Sequence, residues 1–156
     1  MKNFFIIIFI FFIFSCNAND KFVSQSNHNY ETVIFDVVEK KLAIEPNLPN
    51  NLELKLSKWF DNNIKINGFN GDMVFTVSNF KQKESFINDG KKVEVSLSFE
   101  ILISKPIDSK TRLIKGDVSS YGTLSGNFSL KDFDAIIENT LDDLIYRLSK
   151  DLQSKL

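Results

Sequence analysis

The chain has 156 residues, 43% hydrophobic and 25% charged, with 19 Lys and Arg against 20 Asp and Glu, one Cys, one His and 16 Phe. That length accommodates one ordinary domain, and the near-neutral balance lacks the basic footprint of a nucleic-acid binder. A lone Cys and a lone His exclude an internal disulfide, the usual zinc cage and the ordinary Cys/His catalytic pair, so neither metal nor cofactor is expected.

Lys2 precedes eleven consecutive apolar residues, Phe4 to Phe14. At ~1.5 Å per residue this run falls short of the about 20 residues needed to cross a bilayer, and it reads as an export signal. Ile13-Phe14-Ser15-Cys16 follows directly. The segment resembles a bacterial lipobox, in which an aliphatic, a variable and a small residue precede Cys. Ile13, Ser15 and Cys16 match, whereas Phe14 is bulkier than the residue usual there. The resemblance implies a lipoprotein signal peptide over residues 1–15 and lipidation of Cys16: two acyl chains through sulfur and usually a third, such as palmitate, on the freed amine. Such an anchor, at ~0.8 kcal/mol per buried CH₂, holds far more firmly than one myristoyl chain. The other readings of Cys16 are a small residue beside an ordinary cleavage site or part of an uncleaved anchor. Asn17 rather than Asp comes next, which by analogy with the sorting rule of enteric bacteria favours the outer membrane. The expected location is the cell envelope, facing the periplasm.

Removal of residues 1–15 leaves 141 residues and ten of the Phe, so part of the aromatic excess belongs to the signal. Residues 16–30 are polar, with only Phe22, Val23 and Tyr30 to bury. They cannot offset the entropy of ordering and read as a flexible, lipid-anchored tether, with His28 solvated inside it.

Residues 31–156 read as a single domain. Glu31 to Leu42 predicts a strand, with Val33, Phe35 and Val37 on one face. After Pro46 and Pro49, Asn50 or Asn51 is placed to cap a helix carrying Leu52, Leu56, Trp59 and Phe60. That helix should fray at Asn62-Asn63, with turns at Asn67-Gly68 and Asn70-Gly71. Asp72 to Phe86 predicts a second strand, and Asn88-Asp89-Gly90 a hairpin. In the third strand Val93, Val95, Leu97, Phe99, Ile101 and Ile103 alternate with Glu94, Ser96, Ser98 and Glu100, the signature of a sheet buried on one face and wet on the other. Pro106 to Lys110 predicts another turn. Arg112 to Thr123 reads as a weaker strand, diluted by Gly116 and Gly122, at an edge or a bulge. Ser129 and Asp132 form a capping box that opens one long amphipathic helix through Leu152.

The order β-α-β-β-β-α predicts an α+β two-layer sandwich, with a four-stranded, mostly antiparallel sheet and two helices on one face. The first two strands should lie parallel across the crossover helix.

Catalytic signals are weak. Gly122-Thr123-Leu124-Ser125-Gly126 places Ser one position late for a nucleophile elbow, and the domain offers no imidazole base. Asp132/Asp134 and Asp142/Asp143 are carboxylate pairs, the second expected on the wet side of the last helix, where charges serve solubility. Trp59 falls at the helical spacing of Leu52 and Leu56, which favours core packing over a partner anchor. Lys40-Lys41 and Lys91-Lys92 read as solvated strand edges.

Trp59, the turn at Asn67 to Gly71, the Asn88 to Val93 hairpin and the long closing helix give the domain a resemblance, over Glu31 to Leu156, to a group of small, largely uncharacterised bacterial lipoproteins of alphaproteobacterial type. At the level of architecture it is also similar to the lipopolysaccharide-assembly lipoprotein and to the auxiliary lipoproteins of ABC-type transporters. These resemblances imply a non-enzymatic accessory or scaffold for a membrane complex, held to the membrane through acylated Cys16 and binding an envelope protein. The alternative is a carrier with a lipid or other apolar ligand between sheet and helices.

Overall fold

The computed structural model of the protein describes residues 28–156; the export signal, Cys16 and the tether up to residue 27 lie outside the described residues. In chain order the elements are β1 (Val33–Phe35), β2 (Glu39–Ile44), α1 (Asn50–Asn63), β3 (Ile64–Ile66), β4 (Asp72–Ile87), β5 (Gly90–Lys105), β6 (Lys110–Ser125) and α2 (Leu130–Ser154). The expected α+β fold is present. A four-stranded sheet runs β2-β4-β5-β6, with β2 parallel to β4 and the other pairs antiparallel. Among the described residues no helix is long and apolar enough to cross a membrane.

The first predicted strand divides. β1 pairs in parallel with β3, a strand the sequence did not announce, in a separate two-stranded sheet. Three residues are too few to display a period; what decides is that Val33, Phe35 and Ile64 are all buried. Gly68 then passes so close to Asp36 and Val37 that a Cβ would lie 2.5 Å from the Val37 nitrogen. Only glycine fits that crossing.

Neither Asn50 nor Asn51 caps α1. Pro49 occupies the cap position at φ −60° without a side-chain bond, its carbonyl accepting from Glu53 N at 3.0 Å. At the other end Lys40, expected in solvent, donates to the carbonyls of Ile64 (2.5 Å) and Phe60 (3.2 Å) and lies 4.6 Å from the Phe60 ring centroid. Burial there lowers its ammonium pKa, although the Asp61 charge opposes this. A cation is well placed on the orphan carbonyls of a helix C-terminus.

Both helices cover the alternating apolar face. Phe75 of β4 stacks on Phe99 of β5 with centroids 5.8 Å apart, and receives the edges of Trp59 (5.7 Å) and Phe60 (5.9 Å) from α1. Leu52, Leu56, Leu144, Leu148 and Leu152 are wholly buried around them. Trp59, at 4% exposure, is a core residue, as its helical spacing predicted.

β6 is stronger than its glycines suggested. It is sixteen residues long and stays in register with β5 from Gly90↔Ser125 to Lys105↔Lys110. Its glycines permit close packing: a Cβ at Gly116 would meet the Phe99 ring at 2.4 Å, and one at Gly122 would meet Thr140 and Ile136 of α2 at 2.5 and 2.7 Å. The irregularity falls instead in β4, between Ser78 and Lys81, where Asn79 takes φ +55°.

α2 starts as its capping box predicted, with Ser129 Oγ accepting from Asp132 N and the Asp132 carboxylate accepting from Ser129 N. Ser129→Ala is expected to lower stability by about 1 kcal/mol. A urea midpoint unchanged within error would show that the cap contributes nothing.

Candidate functional site

The alternation that buries one face of β5 and β6 leaves the other face without a covering helix or strand among the described residues. Lys115 of β6 pairs with Glu100 of β5 at 2.7 Å. Ser98 Oγ donates to Asp117 at 2.6 Å, and Lys92 pairs with Glu94 at 2.6 Å while lying 4.9 Å from the Tyr121 ring centroid. The hydrogen bond and charge of Lys92 hold the Glu94 carboxyl below its usual range. Leu113 and Tyr121 stand half or more exposed in this polar field. Grooves of about 310 and 390 Å³ run between β4, β5 and β6, floored by Ser96 and Ser119.

The sheet ends on β6, and no strand among the described residues pairs with its outer edge. Unpaired N–H and C=O groups along such an edge form a template for another strand.

Three of the four paired carboxylates hold the fold together. Asp132 belongs to the α2 cap, and Asp134 is exposed on the helix surface. Asp142 and Asp143 are half-buried and diverge to opposite sides of α2 rather than pointing together into solvent. Adjacent helical positions lie about 100° apart, which separates them. Asp142 pairs with Lys55 of α1 at 2.5 Å, and Glu138 joins that pair at 3.2 Å. Burial works against the Lys55 ammonium, but the bonds and charges of Asp142 and Glu138 prevail and raise its pKa. Asp143 accepts from Ser120 of β6 (2.6 Å) and from Arg147 (2.7 Å).

Burial pushes the Asp143 carboxyl upward, yet the bonds from Ser120 and Arg147, with the Arg147 and His28 charges, outweigh it and hold it below the ordinary 3.8. A carboxylate depressed on folding adds stability that is present above its unfolded pKa and lost as pH falls through the lower folded value. Asp143→Asn should therefore lower stability at neutral pH and flatten the decline below about pH 4. Urea midpoints measured across that range test this; parallel curves for variant and parent would refute it.

His28 is not solvated. Its ring stacks on Tyr146 of α2 with centroids 4.3 Å apart and planes 9° from parallel, and Nε2 lies 3.8 Å from Asp143 Oδ1. Tyr30 follows, its hydroxyl donating to the Asp142 carbonyl at 3.5 Å and its own carbonyl accepting from Asn63. Burial, then the Asp142 and Asp143 charges, push the Tyr30 phenol up to about 12. The last residues of the predicted tether thus lie along α2. Ring stacking across some 118 positions leaves no local pattern, so the sequence could not have announced it.

Ser125 sits exposed at the end of β6, while the His28 imidazole lies against α2. Among the described residues no group of three or more His, Cys, Asp or Glu could hold a metal ion. The region between sheet and helices, where the carrier alternative would place an apolar ligand, is filled by Phe75, Phe99 and their neighbours. An apolar cleft of about 410 Å³ does open at the far end of the sheet, between Ile34, Val37, Ile103 and Leu156, with Lys105 and Arg112 at its rim.

No protein-family model and no curated protein matches the chain. Among solved structures, a minor lipoprotein from Acinetobacter baumannii has the same fold at a TM-score of 0.51 and 12% identity, covering 76% of this chain and 93% of that one. The rare lipoprotein B of Shewanella oneidensis aligns at a TM-score of 0.44 and 14% identity, covering 75% and 92%. An uncharacterized lipoprotein B from Nitrosomonas europaea aligns at 0.41 and 7%, covering 80% and 85%. The fold is thus one that a bacterial lipoprotein also has, and no alphaproteobacterial family is shown for the chain.

Proposed function

We propose that the protein is a lipid-anchored, non-enzymatic accessory of the cell envelope, fixed to the membrane through Cys16 and acting by binding protein along β6 and the bare face of the sheet. The observation that carries this reading is the sixteen-residue β6 with an unpaired outer edge, flanked by an uncovered polar face. Main-chain bonds along such an edge supply affinity, and alternate side chains supply selectivity. The export signal and lipobox resemblance support the location, and the fold shared with a minor lipoprotein accords with it. A tether leading from Cys16 to a domain that packs from His28 onward would confine β6 to a thin layer, so a modest interface suffices.

A photo-reactive side chain placed at Ser119 on the intact lipidated protein, irradiated in its own membranes, tests the reading. Cross-linked protein products are expected from Ser119 but not from Lys58 on α1. Equal labelling at both positions, or none at either, would sink it.

The second reading is a carrier, favoured by the cleft of about 410 Å³ beneath Lys105 and Arg112. A stoichiometric apolar adduct in native mass spectrometry, lost in Ile103→Glu, is its expected signature. A ligand-free mass for protein extracted gently from membranes would retire it.

A further inference from the structure

The three stretches of open edge in the sheet are not alike. β2 offers six residues and is ended by Pro46, which lacks the N–H to continue a ladder. β4 outruns β2 after Val77. There Glu45 occupies the first free donor, Asn79 N, at 2.9 Å; the irregularity between Ser78 and Lys81 follows, and Lys81 and Lys83 stand beyond it. Prolines, bulges and lysines are the devices by which folded chains refuse a further strand. β6 has neither proline nor bulge. Of its cations, Arg112 donates to the Lys155 carbonyl at 2.9 Å and Lys115 pairs with Glu100 within the sheet. Among the described residues, the first two stretches are closed by a proline or a bulge and β6 is not.

The side chains along that open edge complement themselves. In an antiparallel pairing of β6 with another β6, centred on Gly116, Lys115 faces Asp117 on the wet side, twice by symmetry. Ile114 faces Val118 on the helix side, and Leu113 and Tyr121 face Ser119 and Thr111. Moving the centre to Lys115 or to Asp117 sets like charges opposite each other, which is destabilising. A two-fold axis perpendicular to the sheet also keeps all four helices on one side. His28 and Tyr30 lie on α2, so the described chain begins on that same side in both copies.

We infer that the occupant of the β6 edge is a second copy of this chain, paired antiparallel about Gly116 to give a continuous eight-stranded sheet. This rests on the reading of β6 as the binding edge and names its partner. Confinement by the anchors raises the effective concentration of the two edges.

Cysteine cross-linking of the full lipidated chain in its own membranes tests it. Residues directly opposite in an antiparallel ladder have Cα atoms about 4.5–5.5 Å apart, within reach of a disulfide. Leu113→Cys co-expressed with Ser119→Cys is expected to give a covalent product of twice the chain mass on mild oxidation, and either variant alone is not. Lys115→Asp should reduce that product at least roughly tenfold by setting carboxylates opposite each other, and Lys115→Asp with Asp117→Lys should restore it. Monomer throughout, equal cross-linking by the single variants, or no rescue by the charge exchange overturns the inference. If Ser119→Cys instead captures a protein of different mass, self-pairing falls while β6 stands as the binding edge; if nothing is captured at β6, both fall.

Discussion

Phe75→Ala should remove about 3–5 kcal/mol of stability, the usual consequence of emptying a phenylalanine site in a packed core. Phe75 is wholly buried and is where the two layers meet: it touches Phe99 within the sheet and both Trp59 and Phe60 from α1. The neighbouring strands on either side of β4 prevent it from collapsing into the space left behind. Against the 5–15 kcal/mol typical of a domain, such a loss leaves a partly unfolded population. Trp59, the single tryptophan, reports on the same site by fluorescence during urea unfolding. Phe75→Leu should cost less than half as much. Equal losses for the two variants would mean that the aromatic cluster is not what joins helix to sheet.

Cys16→Ala, in a chain exported by an ordinary cleavable signal, is expected to move the protein from the membrane to the soluble fraction almost completely. On the proposed lipidation, two or three acyl chains at ~0.8 kcal/mol per CH₂ supply the membrane affinity, and a chain with 19 Lys and Arg against 20 Asp and Glu adds little attraction to anionic lipid. Loss of the anchor removes the confinement that concentrates β6, so cross-linked product at Ser119 should disappear with it. The folded domain should be unaffected, with an unchanged urea midpoint. Membrane retention and undiminished cross-linking in this variant would defeat the lipid-anchor reading altogether.

The two variants separate packing within the domain from placement at the membrane. Phe75→Ala should disturb β6 only through unfolding, and Cys16→Ala only through dilution.

The sequence by itself determined the elements whose physics is local. The apolar alternation of β5 specified a one-sided sheet, Ser129 and Asp132 specified the start of α2, Asn88-Asp89-Gly90 specified the hairpin, and the spacing of Leu52, Leu56 and Trp59 put Trp59 in the core. The lipobox resemblance at Cys16 belongs to the sequence too. Only the tertiary structure decided the rest. β1 and β3 are too short to carry a period and exist because burial brings Val33 and Ile64 together. Lys40 caps α1 from a neighbouring strand, and His28 finds Tyr146 across most of the chain. Gly116 and Gly122, which dilute β6 when read along the chain, instead admit the Phe99 ring and α2. The glycine-diluted pattern of Arg112 to Thr123 already pointed to an edge strand, and β6 does end the sheet; that it runs without a bulge became visible only when the strands were laid side by side.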